Sequence, residues 1–214
     1  MFDGKVVNAL TDTKYTQKCN ICRVTSANVN NIEYVRNLDI CEMALKLGLS
    51  SLHCWIRSFE YILHLGYKME NKAWQARTEQ QKISVSTRKK RIQTEFYEKL
   101  SLIVDQPKVG FGNSNDGNTA RRAFANAAVF SEITGVSIDV IIRLQTVLRA
   151  ICSGQRLNIK HFQSFCSDTL DKVIEHITGT QFPQLSIRCW YMGQMCPWLW
   201  SSQLGSILRK ARRQ

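Results

Sequence analysis

The chain has 214 residues, 44% of them apolar, enough to bury a core and to exclude wholesale disorder. Its formal net charge of +12 points to a polyanionic partner, nucleic acid ahead of a membrane surface. No apolar run is long enough to span a bilayer and no secretory signal follows Met1, so the eight cysteines read as reduced thiols or metal ligands rather than a disulfide framework.

In chain order, Phe2, Val6 and Val7 around Asp3 and Gly4 suit a short strand, and Asp3 by itself reads as a turn aspartate. Cys19-Asn20-Ile21-Cys22 is a CxxC. Two thiolates on a tight turn can hold one Zn²⁺, but a structural zinc site takes four ligands, so this is half a site. The other six cysteines form no second CxxC, and His53, His64, His161 and His176 form no H-x₃₋₅-H pair. A redox CxxC belongs beside a βαβ pattern, which is absent here, and two unpaired surface cysteines are the plain alternative.

Ile40–Met69 carries Leu45, Leu49, Leu52, Ile56, Phe59 and Leu63 at steps of three and four, one face of a helix. Asn71–Arg91 is polar and basic, with Trp74 among the charges, and ends in the run Arg88, Lys89, Lys90 and Arg91. It reads either as a surface that grips and stacks on nucleic acid or as a solvated connector. Ile92, Phe96 and Leu100 extend that run as a helical face to about Val104, and Pro107 is expected to end it.

The stretch Gly110–Phe124 is the pivot of the chain, with basic helical patterns before it and an apolar helical run after it. Gly110, Gly112 and Gly117 allow backbone angles closed to other residues, and Asn115-Asp116-Gly117 is strong turn chemistry. Asn118 is expected to cap a helix entered by Ala120, Arg121 and Arg122, whose free N–H groups beside two arginines suit a phosphate. Ser137–Ile151 then reads as an apolar helix with Ile138, Ile141, Ile142, Val147, Leu148 and Ile151, stopped at Ser153-Gly154. Asn158 can cap a further helix with Phe162, Phe165, Cys166, Leu170, Val173 and Ile177 on its face. Leu185–Gln214 differs from all of this: it has no acid, three tryptophans, no period and a basic end.

Taken together, Phe2-Asp3, Cys19-x-x-Cys22, Leu52-His53-Cys54, Trp74-Gln75-Ala76 and Asn115-Asp116-Gly117-Asn118-Thr119-Ala120-Arg121 resemble, in order, the catalytic core shared by Transib-type DNA transposases and the catalytic subunit of the V(D)J recombinase. The resemblance covers about Met1 to Gln184. It implies an RNase-H-like fold with a helical, zinc-containing insertion, and three carboxylates that hold two Mg²⁺ or Mn²⁺ ions for in-line attack on a phosphodiester. It places Asp3 at the second of those carboxylates and Cys19 and Cys22 at the two zinc cysteines. The first carboxylate would precede Met1, and the H-x₄-H pair and final glutamate expected after Gln184 are missing.

The expected fold is therefore mainly α, a zinc-insertion-like helical region of an RNase-H-like transposase core with a short β remnant at the N-terminus. Residues 1–18 would be the core remnant, 19–184 the helical insertion with half a zinc site, and 185–214 an irregular tail. The expected function is a transposase-derived DNA-binding protein or fragment without strand cleavage alone, nuclear, or cytoplasmic if a decayed fragment. Its DNA contacts would come from Arg88, Lys89, Lys90, Arg91, Asn118, Arg121 and Arg122, and a homodimer is compatible with it. The alternative is a helical protein-interaction module with no nucleic-acid role; an enzyme completed by carboxylates from another chain is a third reading. The tail has an explanation of its own in the genetic code. Leu185–Gly193 can be encoded as CTG TCC ATA AGG TGT TGG TAC ATG GGG. With one T restored ahead, the same letters read Ser-Val-His-Lys-Val-Leu-Val-His-Gly, which supplies the H-x₄-H pair, and permitted codons carry the shifted frame on to a Ser-Glu-Glu run.

Overall fold

The computed structural model describes residues 51–70, 76–108 and 112–179, together with Gly110 and isolated positions between Arg23 and Cys41. Asp3, Cys19, Cys22, Trp74 and Leu185–Gln214 lie outside the described residues, and with them the β remnant, the half zinc site and the tail. Among the described residues there are six helices: α1 (Ser51–Lys68), α2 (Glu79–Leu100), α3 (Gly117–Ala125), α4 (Ala127–Thr134), α5 (Ile138–Cys152) and α6 (Ile159–Gly179). A two-stranded antiparallel hairpin, β1 (Pro107–Lys108) and β2 (Gly112–Asn113), sits between α2 and α3. The chain is mainly α, as its periodicities predict.

Several helix ends have a local cause. α2 begins at a capping box: the Thr78 hydroxyl accepts from the Gln81 N–H, and the Gln81 side chain accepts from the Thr78 N–H, both at 3.3 Å. It starts well before the Arg88 run, so most of the expected connector is helix. It ends at Leu100, before the predicted Val104 and Pro107, because Ser101 turns left-handed at φ 51°. The Ser101 and Leu102 N–H groups return to the Tyr97 and Phe96 carbonyls at 2.9 and 3.1 Å and close the last turn. Gly135, at φ +78°, ends α4 in the same left-handed way. On α6 the Asn158 side chain accepts from the His161 N–H at 3.2 Å, the cap expected from the sequence.

The core is a run of aromatic rings. Trp55 meets Phe124 at 5.5 Å, Phe124 meets Phe130 at 5.4 Å, and Phe130 meets Phe96 at 5.5 Å and Phe59 at 5.6 Å. Most of these contacts are edge-on, the arrangement the ring quadrupoles favour. Phe59, Phe96, Phe124 and Phe130 are fully buried, each contributing roughly 2–3 kcal/mol of transfer free energy. Two predicted faces are rotated. On α1 Phe59 and Leu63 are buried as expected, but Leu52 is 38% exposed, and the face runs instead through Trp55, Phe59, Ile62 and Gly66. On α5 Ile138 and Ile142 are exposed, because the buried stripe is Val140, Ile141, Leu144, Val147 and Leu148. On α6 Phe162, Cys166, Leu170 and Val173 are buried as expected.

Candidate nucleic-acid interface

The corner between α2 and α3 is held by its own side chains. Asn115 accepts the Asp105 N–H at 2.8 Å, and Ser114 accepts the Gln106 N–H at 3.0 Å while its own N–H reaches the Gln106 carbonyl at 2.8 Å. From α2, the Gln93 amide donates to the Val104 and Asp105 carbonyls at 3.2 and 3.1 Å. Ser114 and Asn115 are buried, so their polar groups are satisfied inside the loop rather than by solvent. Gly110 and Gly112 adopt φ of +76° and +79°, which closes the hairpin over the register Pro107 to Asn113.

Gly117 serves close packing, where its neighbours suggest backbone freedom. It is helical, and a Cβ there would come within 2.1 Å of Leu52 Cδ1. The missing side chain lets α3 settle against the start of α1.

The start of α3 departs from the sequence expectation. Asp116, not Asn118, is the N-cap, and its carboxylate accepts the Thr119 N–H at 2.8 Å. That amide, foremost, holds the Asp116 carboxyl below its usual range, with Lys108 at 3.9 Å adding to the effect. A carboxylate belonging to the chain thus occupies the helix start, and the expected phosphate seat on free N–H groups is already filled. Asn118 is exposed at the second helical position.

Arg121 and Arg122 project from this helix into solvent. The Arg121 guanidinium lies 5.8 Å from the centre of the Trp55 ring and donates to the Gly117 carbonyl at 3.4 Å. Arg122 donates to the Leu100 carbonyl at 3.1 Å, at the negative end of α2.

The basic run on α2 is mostly spoken for. Arg88 is an internal tie: its guanidinium donates to the Gly66 carbonyl at 2.6 Å, to the Thr134 carbonyl at 3.2 Å and to Glu70, with its side chain only 11% exposed. It holds the ends of α1 and α4 to α2 and serves the fold. Lys89 pairs with Asp105 at 2.5 Å and sits 5.5 Å from the Tyr67 ring centre, and Arg91 pairs with Glu95 at 2.8 Å. Lys90 is exposed and has no ion pair among the described residues.

No group of three or more His, Cys, Asp or Glu among the described residues is arranged to hold a metal ion. Burial, helped by neighbouring Cys152, pushes the Cys54 thiol up to about 11, and burial pushes Cys166 up to about 12, so both are protonated core side chains. Cys19 and Cys22, which the resemblance assigns to zinc, lie outside the described residues, and no chemical step is routed through a metal. No helix among the described residues is long and apolar enough to cross a membrane. No protein-family model matches the chain, and no curated protein matches it.

Proposed function

We propose that the chain is a transposase-derived DNA-binding protein, related to the helical part of an RNase-H-like core and without strand-cleaving chemistry of its own. The observation that carries this reading is the corner at Ser114–Arg122. The longest stretch of the family resemblance, Asn115 to Arg121, is a hydrogen-bonded loop whose following helical turns hold Arg121 and Arg122 in solvent. Guanidinium groups held on a fixed helix present donors to phosphate at little cost in ordering. The net charge of +12 supports the same partner.

Binding of a labelled duplex of arbitrary sequence, followed by fluorescence anisotropy over a range of salt, tests the reading. Affinity should fall steeply as salt rises, because each phosphate contact releases condensed counterions, and it should vary little with sequence. Arg121→Gln should weaken binding to all duplexes alike. Affinity that is absent, or unchanged across the salt range, would favour a helical protein-interaction module. With Mg²⁺ or Mn²⁺ the protein should neither nick nor join DNA, since Asp3 alone of the family's three carboxylates is matched. Metal-dependent nicking that vanishes in Asp3→Asn would overturn the non-catalytic part.

A further inference from the structure

Between Asp139 and Asp168 the chain contains no acidic residue, yet it carries Arg143, Arg149, Arg156 and Lys160. Arg143 is neutralised by Asp139 at 3.1 Å on its own helix. The other three are exposed and make no hydrogen bond or ion pair among the described residues. Arg149 is in the last turn of α5, Arg156 in the connector and Lys160 in the first turn of α6, so all three flank one helix-to-helix turn. That turn has a defined backbone. Gly154 takes φ +65°, Ser153 accepts the Gln155 N–H at 3.1 Å, and Leu157 packs on the core.

The turn is also continuous with the corner at Ser114–Arg122. At the end of α5, Cys152 Sγ accepts the Trp55 indole N–H at 3.3 Å. The same indole carries Arg121 at 5.8 Å from its ring centre. Trp55, buried, thus links Arg121 to the α5–α6 turn. Four cations from three helices and their connector share this end of the bundle, and none of them is answered by a carboxylate among the described residues.

We infer that the phosphate backbone of duplex DNA is engaged by this end of the bundle, through Arg121, Arg149, Arg156 and Lys160, rather than by the basic run along α2. The inference rests on the DNA-binding reading and names the face that performs it. The physical ground is the state of the cations before binding. A lysine or arginine already paired with a carboxylate, as Lys89 and Arg91 are, brings a nearly neutral pair to the phosphate and must first give up its partner. An unpaired cation gains the phosphate contact outright and displaces condensed counterions in doing so.

The test uses the full chain and a labelled random-sequence duplex, with anisotropy at low and moderate salt. Two triple variants are compared: Arg149→Gln with Arg156→Gln and Lys160→Gln, and Lys89→Gln with Lys90→Gln and Arg91→Gln. Circular dichroism first establishes that each variant keeps wild-type helix content. The end-of-bundle variant should bind at least about tenfold more weakly at low salt, with the magnitude of the log–log salt slope reduced by about 2–3, while the α2 variant loses about threefold or less. Wild-type binding that survives unchanged in the end-of-bundle variant, or that falls more in the α2 variant, overturns the inference and leaves the DNA-binding reading standing. A wild-type protein with no salt-dependent affinity overturns both.

Discussion

Arg88→Met is the most direct test of how the bundle is held. The substitution keeps the aliphatic stem and removes the guanidinium. Three partners lose it: the Gly66 carbonyl at the end of α1, the Thr134 carbonyl at the end of α4, and the Glu70 carboxylate. Glu70 is 59% exposed, so its pair adds less than about 1 kcal/mol, and water takes over its solvation. The two carbonyls differ because they lie at part-buried contacts, and each bond to a charged donor is worth about 1.5–3 kcal/mol. Partial rehydration recovers some of that, leaving a net loss of about 3 kcal/mol. For a domain of this size, urea slopes of about 2 kcal/mol per molar convert the loss into a midpoint lowered by roughly 1.5 M. Chemical denaturation followed by circular dichroism reads it. Arg88→Lys should fall between the two, since one ammonium cannot reach three acceptors with the geometry of the planar fork. A midpoint within experimental error of wild type, together with weakened DNA binding, would refute the structural role and return Arg88 to the surface charges.

Asp116→Ala removes the cap on the Thr119 amide and should cost about 1 kcal/mol near neutral pH, with Asp116→Asn costing much less. Because the folded-state pKa of Asp116 is lowered, its stabilisation is present above the ordinary aspartate range and disappears as pH falls through the folded value. The difference between wild type and Asp116→Ala in urea should therefore close on acidification; a gap that persists in strong acid would mean that the carboxylate charge contributes nothing. For Leu185–Gln214, sequencing of the coding DNA and its transcript should show codons that give the two histidines at H-x₄-H spacing in the shifted frame after Gln184. A shifted frame without those histidine codons ends that explanation.

Helix existence was legible because burial imposes a period, as the α6 face of Phe162, Cys166, Leu170 and Val173 illustrates. The rotation of a face was not always legible. Ile138 and Ile142 are as apolar as Ile141 and Leu148, and only the position of α5 against α1 and α4 decides which of them meet the core. The start of α2 carried a readable signal, the Thr78-x-x-Gln81 box, masked by the attention its basic residues attract. At α3 the cap was expected at Asn118, and it falls on Asp116 because the loop from Asp105 to Asn115 leaves the backbone to enter the helix two residues earlier. Gly117 was expected for its backbone freedom, whereas the structure uses its lack of a side chain against Leu52. That distinction exists only once two helices are placed side by side.

The same limit applies to charge. The eye is drawn to runs, and Arg88-Lys89-Lys90-Arg91 is the densest run in the described region. Helical geometry disperses such a run around the cylinder, since successive residues point about 100° apart. Arg88 turns inward to two carbonyls, Lys89 and Arg91 meet carboxylates, and Lys90 alone of the four is left for solvent among the described residues. Arg149, Arg156 and Lys160 are too widely spaced to register as a run, but the turn between α5 and α6 gathers them, with no ion pair to an acid among the described residues. A polyanion responds to the field left after internal pairing, not to the formal count along the chain. On that basis the DNA face proposed above is assigned to the end of the bundle, where Arg121 and this turn meet across Trp55, and not to the sequence's most basic segment.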